Sequence, residues 1–217
     1  MSSPRVKICC ISSPDEARLA IRLGASALGL VGPMPSGPGV ITDEQIATIA
    51  RIVPPPIATF LLTSETDAEQ IIAHQKRVHT NTVQIVDALT TGQYDQIRAA
   101  LPGIWLVQVI HVTDQASVDE ALRIAPHVDA LLLDSGNPNL AVKELGGTGR
   151  VHDWQLSRQI RDRSNVPVFL AGGLRADNVR QAIDVVQPFG LDLCSGVRTN
   201  GHLDPVKLEA FMKAVNA

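Results

Sequence analysis

Short apolar runs and helix-like runs alternate along this chain, eight times over. The apolar runs occupy 6–10, 27–31, 57–62, 82–86, 104–110, 130–135, 166–173 and 190–196. Each is followed by an amphipathic stretch, from "DEARLAIRLG" after the first to "DPVKLEAFMKAV" after the last. The runs are continuous rather than alternating, which is the pattern of parallel strands covered on both faces. Eight successive strand–helix units without a break in composition close most simply into one (β/α)8 TIM barrel, an α/β domain spanning 1–217. An open, doubly wound sheet is the runner-up. It would usually have fewer strands, and "GGTG" (146–149) does not satisfy the GxGxxG fingerprint of a dinucleotide site.

The first helix has the clearest start. Ser13 is placed as N-cap, Pro14 fills the first helical position, and Glu16 would complete a capping box. Ala17, Ala20, Ile21 and Leu23 follow at helical spacing, and Gly24 suits a left-handed C-terminal cap.

Composition excludes several classes of function. A net charge of -3 offers no electrostatic footprint for nucleic acid or an anionic membrane. No apolar run approaches the roughly 20 residues of a membrane helix. The opening "MSSPRVKICC" lacks the layout of a signal peptide, so a soluble, cytoplasmic protein is expected. Three cysteines, Cys9, Cys10 and Cys194, do not make a disulfide framework and suit a reducing compartment. There is no CxxC pair and no HExxH, so no metal is expected.

In such a barrel the chemistry lies where strands end. That rule selects Cys9 and Cys10 after the first strand and Asp134 and Ser135 after the sixth. It also selects Gly172 and Gly173 after the seventh and Cys194, Ser195 and Gly196 after the eighth. Glycines in the last two places allow backbone N–H groups to approach an anion, and the loops after strands 7 and 8 are the usual phosphate site of this fold. A plain tight turn is the structural alternative. Lys7 precedes Cys9 by two residues and so shares its side of the strand. Inside a barrel it needs a charge partner, and it could hold an anion or act on the thiol. Cys9 could equally be a small core residue. Asp134 follows "ALLL" with no helix start behind it, which favours a functional acid over a cap.

A family resemblance now emerges. "VKICCI" is similar to the "KICGI" opening of phosphoribosylanthranilate isomerases, and the likeness continues through "LLLDS", "GGTGRVHDW", "LAGGLRADNVRQAID", "QPFGLDLCSGV" and "DPVKLEAF". It implies a TIM-barrel isomerase of tryptophan biosynthesis that performs an Amadori rearrangement without cofactor. The positions that match imply Cys9 as general base and Asp134 as general acid. Phosphate would rest on Gly172, Gly173, Ser195 and Gly196, with Gly147 and Thr148 in the loop nearby. The implied partner is a phosphorylated small molecule, and the family includes monomers and dimers. Cys10 stands where the family has glycine. Alternation along the strand would turn it toward the helices as a packing residue.

Four departures lie on the substrate side. "PSGPGVIT" lacks the arginine expected after strand 2 to pair with the anthranilate carboxylate. "VQIVD" replaces "VQLHG", "HDW" replaces "FDW", and "CSGVR" replaces "SSGVE". Either Arg198, Arg150 or His152 takes over the missing arginine's task, or the chain is a paralogue that isomerises or binds another phosphorylated sugar. A non-catalytic protein on the same barrel is the third reading, and the retained Cys9 and Asp134 speak against it.

Overall fold

The computed structural model describes residues 3–35, 37–136 and 151–217. Eight parallel strands form a closed barrel in sequence order. They are β1 (Arg5–Ile8), β2 (Ala27–Val31), β3 (Ala58–Thr63), β4 (Thr82–Ile85), β5 (Trp105–His111), β6 (Ala130–Asp134), β7 (Val168–Leu170) and β8 (Gly190–Leu193). Closure is made by β8 against β1, with Arg5 opposite Gly190 and Ile8 opposite Leu193. That pairing removes both sheet edges and rules out the open, doubly wound alternative. The helices are α1 (Pro14–Arg22), α2 (Asp43–Ile52), α3 (Ala68–Val78), α4 (Tyr94–Ala100), α5 (Gln115–Ile124), α6 (Trp154–Arg163), α7 (Val179–Val186) and α8 (Pro205–Asn216). None of the described helices is long and apolar enough to cross a membrane.

The period of two along each strand sorts the apolar residues into two cores. Leu28 and Leu30 of β2, Leu131 and Leu133 of β6, and Leu191 and Leu193 of β8 face outward and pack under the helices. Ala27 and Val31, Ala130 and Leu132, and Phe60 and Phe169 fill the barrel interior. Phe211 of α8 is fully buried in the outer core. Truncation to alanine leaves a large cavity there, so Phe211→Ala is expected to destabilise the fold by about 3–5 kcal/mol in urea denaturation. A loss below about 1 kcal/mol would mean that α8 is not packed as described.

Local signals explain most boundaries. Ser13 caps α1 by accepting a hydrogen bond from the Glu16 N–H at 3.2 Å. Gly24 ends the helix at φ 103°. The expected capping box is only half made. The Glu16 carboxylate accepts from the N–H of Ser12 rather than Ser13, because it is drawn to Arg198. β7 is shorter than the apolar run that foretold it, since Gly172 and Gly173 turn the chain at φ 83° and 61°. α7 begins only at Val179, and the Asn178 side chain braces the preceding loop instead of capping the helix. It accepts from the Arg175 N–H at 2.8 Å and donates to the Gly173 carbonyl at 3.0 Å. After β8 comes an element outside the eightfold pattern, a small hairpin of β9 (Arg198–Thr199) and β10 (His202–Leu203). Its turn is Asn200-Gly201, both at positive φ, which is the pairing that two-residue hairpins favour.

Candidate active site

An open pocket of about 720 Å³ lies at the C-terminal ends of the strands. Cys9, Asp134, Gly172, Gly173, Ser195 and Gly196 all line it. One wall is apolar, built by Met34, Leu62, Val86 and Val109. Gly147 and Thr148 lie outside the described residues, as does Arg150.

The pocket floor holds a buried ion pair. Lys7 is fully buried, and its Nζ lies 2.8 Å from Asp192 Oδ1 of the adjacent strand. Burial alone would pull the ammonium pKa down. The Asp192 carboxylate, and after it Cys9, outweigh burial and raise it. Lys7 therefore does not face the pocket as a free cation. It stands beneath Cys9: a side chain at Gly29 would put its Cβ 2.8 Å from Cys9 Sγ and 3.0 Å from Lys7 Nζ. Glycine at 29 makes room for this stack. Lys7→Met would leave Asp192 buried without its partner, at an expected cost of about 3–5 kcal/mol in a thermal or urea melt. Replacing both residues by apolar ones of like volume is expected to recover much of that loss, whereas an additive double mutant would deny the pairing.

Asp134 closes the inward face of β6 and is 8% exposed. Burial pushes its pKa up. A hydrogen bond from the Ser135 N–H at 2.7 Å and the neighbouring His111 oppose this, and Asp192 adds to it. A carboxyl group that keeps its proton above the usual carboxylate range has the property a general acid needs.

Beside Asp134, after the neighbouring strands β7 and β8, come the two glycine turns. A Cβ at Gly172 would meet Ser135 at 2.9 Å, and one at Gly196 would lie 2.1 Å from the Leu174 carbonyl. The turn after β8 thus packs on the backbone after β7, that after β7 packs on Ser135, and neither Gly172 nor Gly196 has room for a Cβ. Among the described residues, the N–H groups of Gly172, Gly173, Ser195 and Gly196 find no carbonyl partner. They remain able to serve an anion.

Three expectations are corrected by geometry. Cys10 does not pack toward the helices. β1 ends at Ile8 and Cys10 takes φ 61°, which breaks the alternation and brings its side chain into the pocket wall and the inner core. Arg198 does not line the pocket. Its guanidinium is bound to Glu16, with Nη1–Oε1 at 3.0 Å, and donates to the carbonyls of Cys9, Cys10 and Gly201. It ties the turn after β1 to α1 and to the hairpin. His152 does not line the pocket either. Its Nε2 pairs with Ser157 Oγ at 2.6 Å, and burial pushes its pKa down to about 4.

Three inward residues carry weight that the strand-end rule did not mark. Asp192 has a sequence signal, being an acid in an apolar strand set to face Lys7. Gln84 lines the pocket, and its Oε1 has no partner among the described residues. His111 is the register partner of Asp134 and donates from Nε2 to the Val86 carbonyl at 3.0 Å. Nothing in "QVIH" distinguishes it from a core histidine.

The family model for N-(5'-phosphoribosyl)anthranilate (PRA) isomerase matches residues 6–214. A protein of Methanosarcina mazei named N-(5'-phosphoribosyl)anthranilate isomerase 2 is 35% identical over 210 residues, covering 96% of this chain and 92% of its own length. The crystal structure of phosphoribosyl anthranilate isomerase from Thermotoga maritima superposes with a TM-score of 0.82 at 30% identity, covering 98% of each chain. A second structure of such an isomerase, in complex with reduced 1-(o-carboxyphenylamino)-1-deoxyribulose 5-phosphate, superposes with a TM-score of 0.79 at 28% identity, again covering 98% of each chain.

Proposed function

From the premise that the chain belongs to the N-(5'-phosphoribosyl)anthranilate isomerase family, we propose that it converts N-(5-phosphoribosyl)anthranilate to the carboxyphenylamino-deoxyribulose phosphate in tryptophan biosynthesis, with Asp134 as general acid and Cys9 as general base. The observation that carries this reading is the convergence of an acid, a thiol and two glycine turns on one pocket.

The chemistry follows from the positions. Asp134 gives its proton to the ribose ring oxygen while the C1′–O bond breaks and the anilino nitrogen supplies the electron pair of a Schiff base. The Asp134 carboxylate, now charged, faces the cationic imine. Cys9, as thiolate, removes the proton from C2′, and the bonding pair becomes the C1′–C2′ double bond of the enolamine. Tautomerisation yields the ketose. No electron leaves the substrate, so the sequence of steps needs no cofactor. The backbone at Gly172, Gly173, Ser195 and Gly196 binds the 5′-phosphate and holds C1′ and C2′ between acid and base. The apolar wall of Met34, Leu62, Val86 and Val109 receives the aromatic ring.

The test is to generate the substrate in situ and follow the loss of its anthranilate fluorescence. Saturable loss supports the proposal. Turnover is expected to fall as pH rises through the pKa of Asp134, because only the protonated acid opens the ring, and that limb should lie above the ordinary carboxylate range. One observation favours a second substrate in the same pocket: among the described residues, none that line it is lysine or arginine. Folded protein that leaves the fluorescence unchanged would move the reaction to a phosphorylated amino sugar without the benzoate.

A further inference from the structure

Cys10 and Cys194 meet at the mouth of the pocket. Their sulfurs lie 2.6 Å apart. The two residues follow the ends of β1 and β8, which are paired neighbours in the barrel. Neighbouring strands run about 4.8 Å apart, inside the Cα separation of about 4.4–6.8 Å that a disulfide spans. Both residues line the open pocket, so a small reagent has a route to them. Cys10 is held at φ 61°, a conformation in which glycine is the unstrained choice. The chain thus accepts backbone strain at a position whose side chain touches Cys194. The Cys10 side chain is further set by the β2–α2 loop, with the Pro38 carbonyl 3.5 Å from its sulfur. The catalytic scheme uses neither thiol.

We propose that Cys10 and Cys194 are a redox-active dithiol that closes reversibly to a disulfide, with a low-molecular-weight disulfide of the glutathione type as oxidant. The Cys194 thiolate attacks one sulfur of the oxidant, forming a mixed disulfide and expelling one glutathione thiolate. Cys10 loses its proton to solvent and attacks Cys194 Sγ, and the second glutathione thiolate leaves. Two thiols are oxidised, one external disulfide is reduced to two thiols, and no other reactant is needed.

The order of attack follows from the surroundings. Cys194 is the more exposed of the two. Its contact with Cys10, and after it the nearby Arg198 cation, lower its pKa against the opposing effect of burial. The same contact raises that of Cys10, which keeps its proton. A Cys9–Cys10 bridge would instead close a ring through a single peptide bond and distort it. The proposal is independent of which phosphosugar the pocket takes. The new bond would tie the turn after β1, which carries Cys9, to the segment that enters Ser195 and Gly196.

The full-length protein should be equilibrated in glutathione buffers from fully reduced to fully oxidised, quenched by alkylation, and examined by thiol counting, peptide mapping and non-reducing electrophoresis. The chain has three cysteines. At the oxidising end, two of the three thiols are expected to disappear in a monomeric chain. The mapped link should join Cys10 to Cys194, and dithiothreitol should restore all three thiols. Cys10→Gly and Cys194→Ser should each keep both remaining thiols in the same buffers. Cys9→Ala should still form the link, which shows that the base is not a party to it. Three free thiols throughout, a link that includes Cys9, or a link between two chains would each overturn the proposal.

Discussion

Cys9→Ala is expected to lower turnover of phosphoribosyl anthranilate by about 100- to 10,000-fold, the usual worth of a positioned general base. In barrier height that is about 2.7–5.4 kcal/mol. The loss should fall on kcat more than on KM, because the role proposed for Cys9 is on the C2′ proton and not on the phosphate. Its sulfur lies in the inner core over Gly29 and Lys7, so the alanine variant also loses some packing. Cys9→Ser separates the two effects. It keeps nearly the same volume, but a hydroxyl is far too weak an acid to form the base at neutral pH. The serine variant should melt nearer the parent temperature than the alanine variant, and both should be slow. A serine variant that turns over at the parent rate would remove Cys9 from the mechanism.

Asp134→Asn is expected to cost as much, again about 100- to 10,000-fold in kcat. Asparagine has the same shape and can keep the hydrogen bond from Ser135, but it has no proton to give to the ring oxygen. Stability provides a control whose sign can be worked out. Burial raises the folded-state pKa of Asp134, so the native state prefers the neutral acid. Its contribution to stability is full below the unfolded pKa and declines as pH rises through the folded one. A neutral amide imitates the favoured form. Above that range Asp134→Asn should therefore be at least as stable as the parent while being far slower. The alkaline limb assigned to the acid should vanish from its residual activity. Parent-like turnover, or an unchanged limb, would show that another group protonates the substrate.

Much of the fold was legible because each unit advertises itself. Continuous apolar runs such as "ALLLD" and "ALGLV" mark strands buried on both faces, and Ser13-Pro14 marks the start of α1. The strand-end rule puts Cys9 and Asp134 on a short list, and only the family resemblance singles out the pair. Less legible was the direction of each side chain beyond the last paired residue. Alternation places Cys10 toward the helices only if the strand continues, and it stops at Ile8. Arg198 looked like a cation free for substrate because Glu16 is 182 residues away in sequence, yet the two are joined in space. The bracing of the glycine turn by Asn178 has no local signal either.

What the sequence by itself determined was periodicity and residue type. These set the number of barrel strands and of the helices that follow them, and the glycines that keep the turns after β7 and β8 bare. Such features are local, since a run of alternating burial or a positive φ is satisfied within a few residues. What only the tertiary structure decided was partnership. Lys7 with Asp192, Arg198 with Glu16, and Cys10 with Cys194 all join β1 or α1 to β8 and its hairpin, the two ends of the chain. Barrel closure brings those ends together. The choice among competing partners for a buried charge or thiol depends on distances of a few ångströms, which no local pattern records.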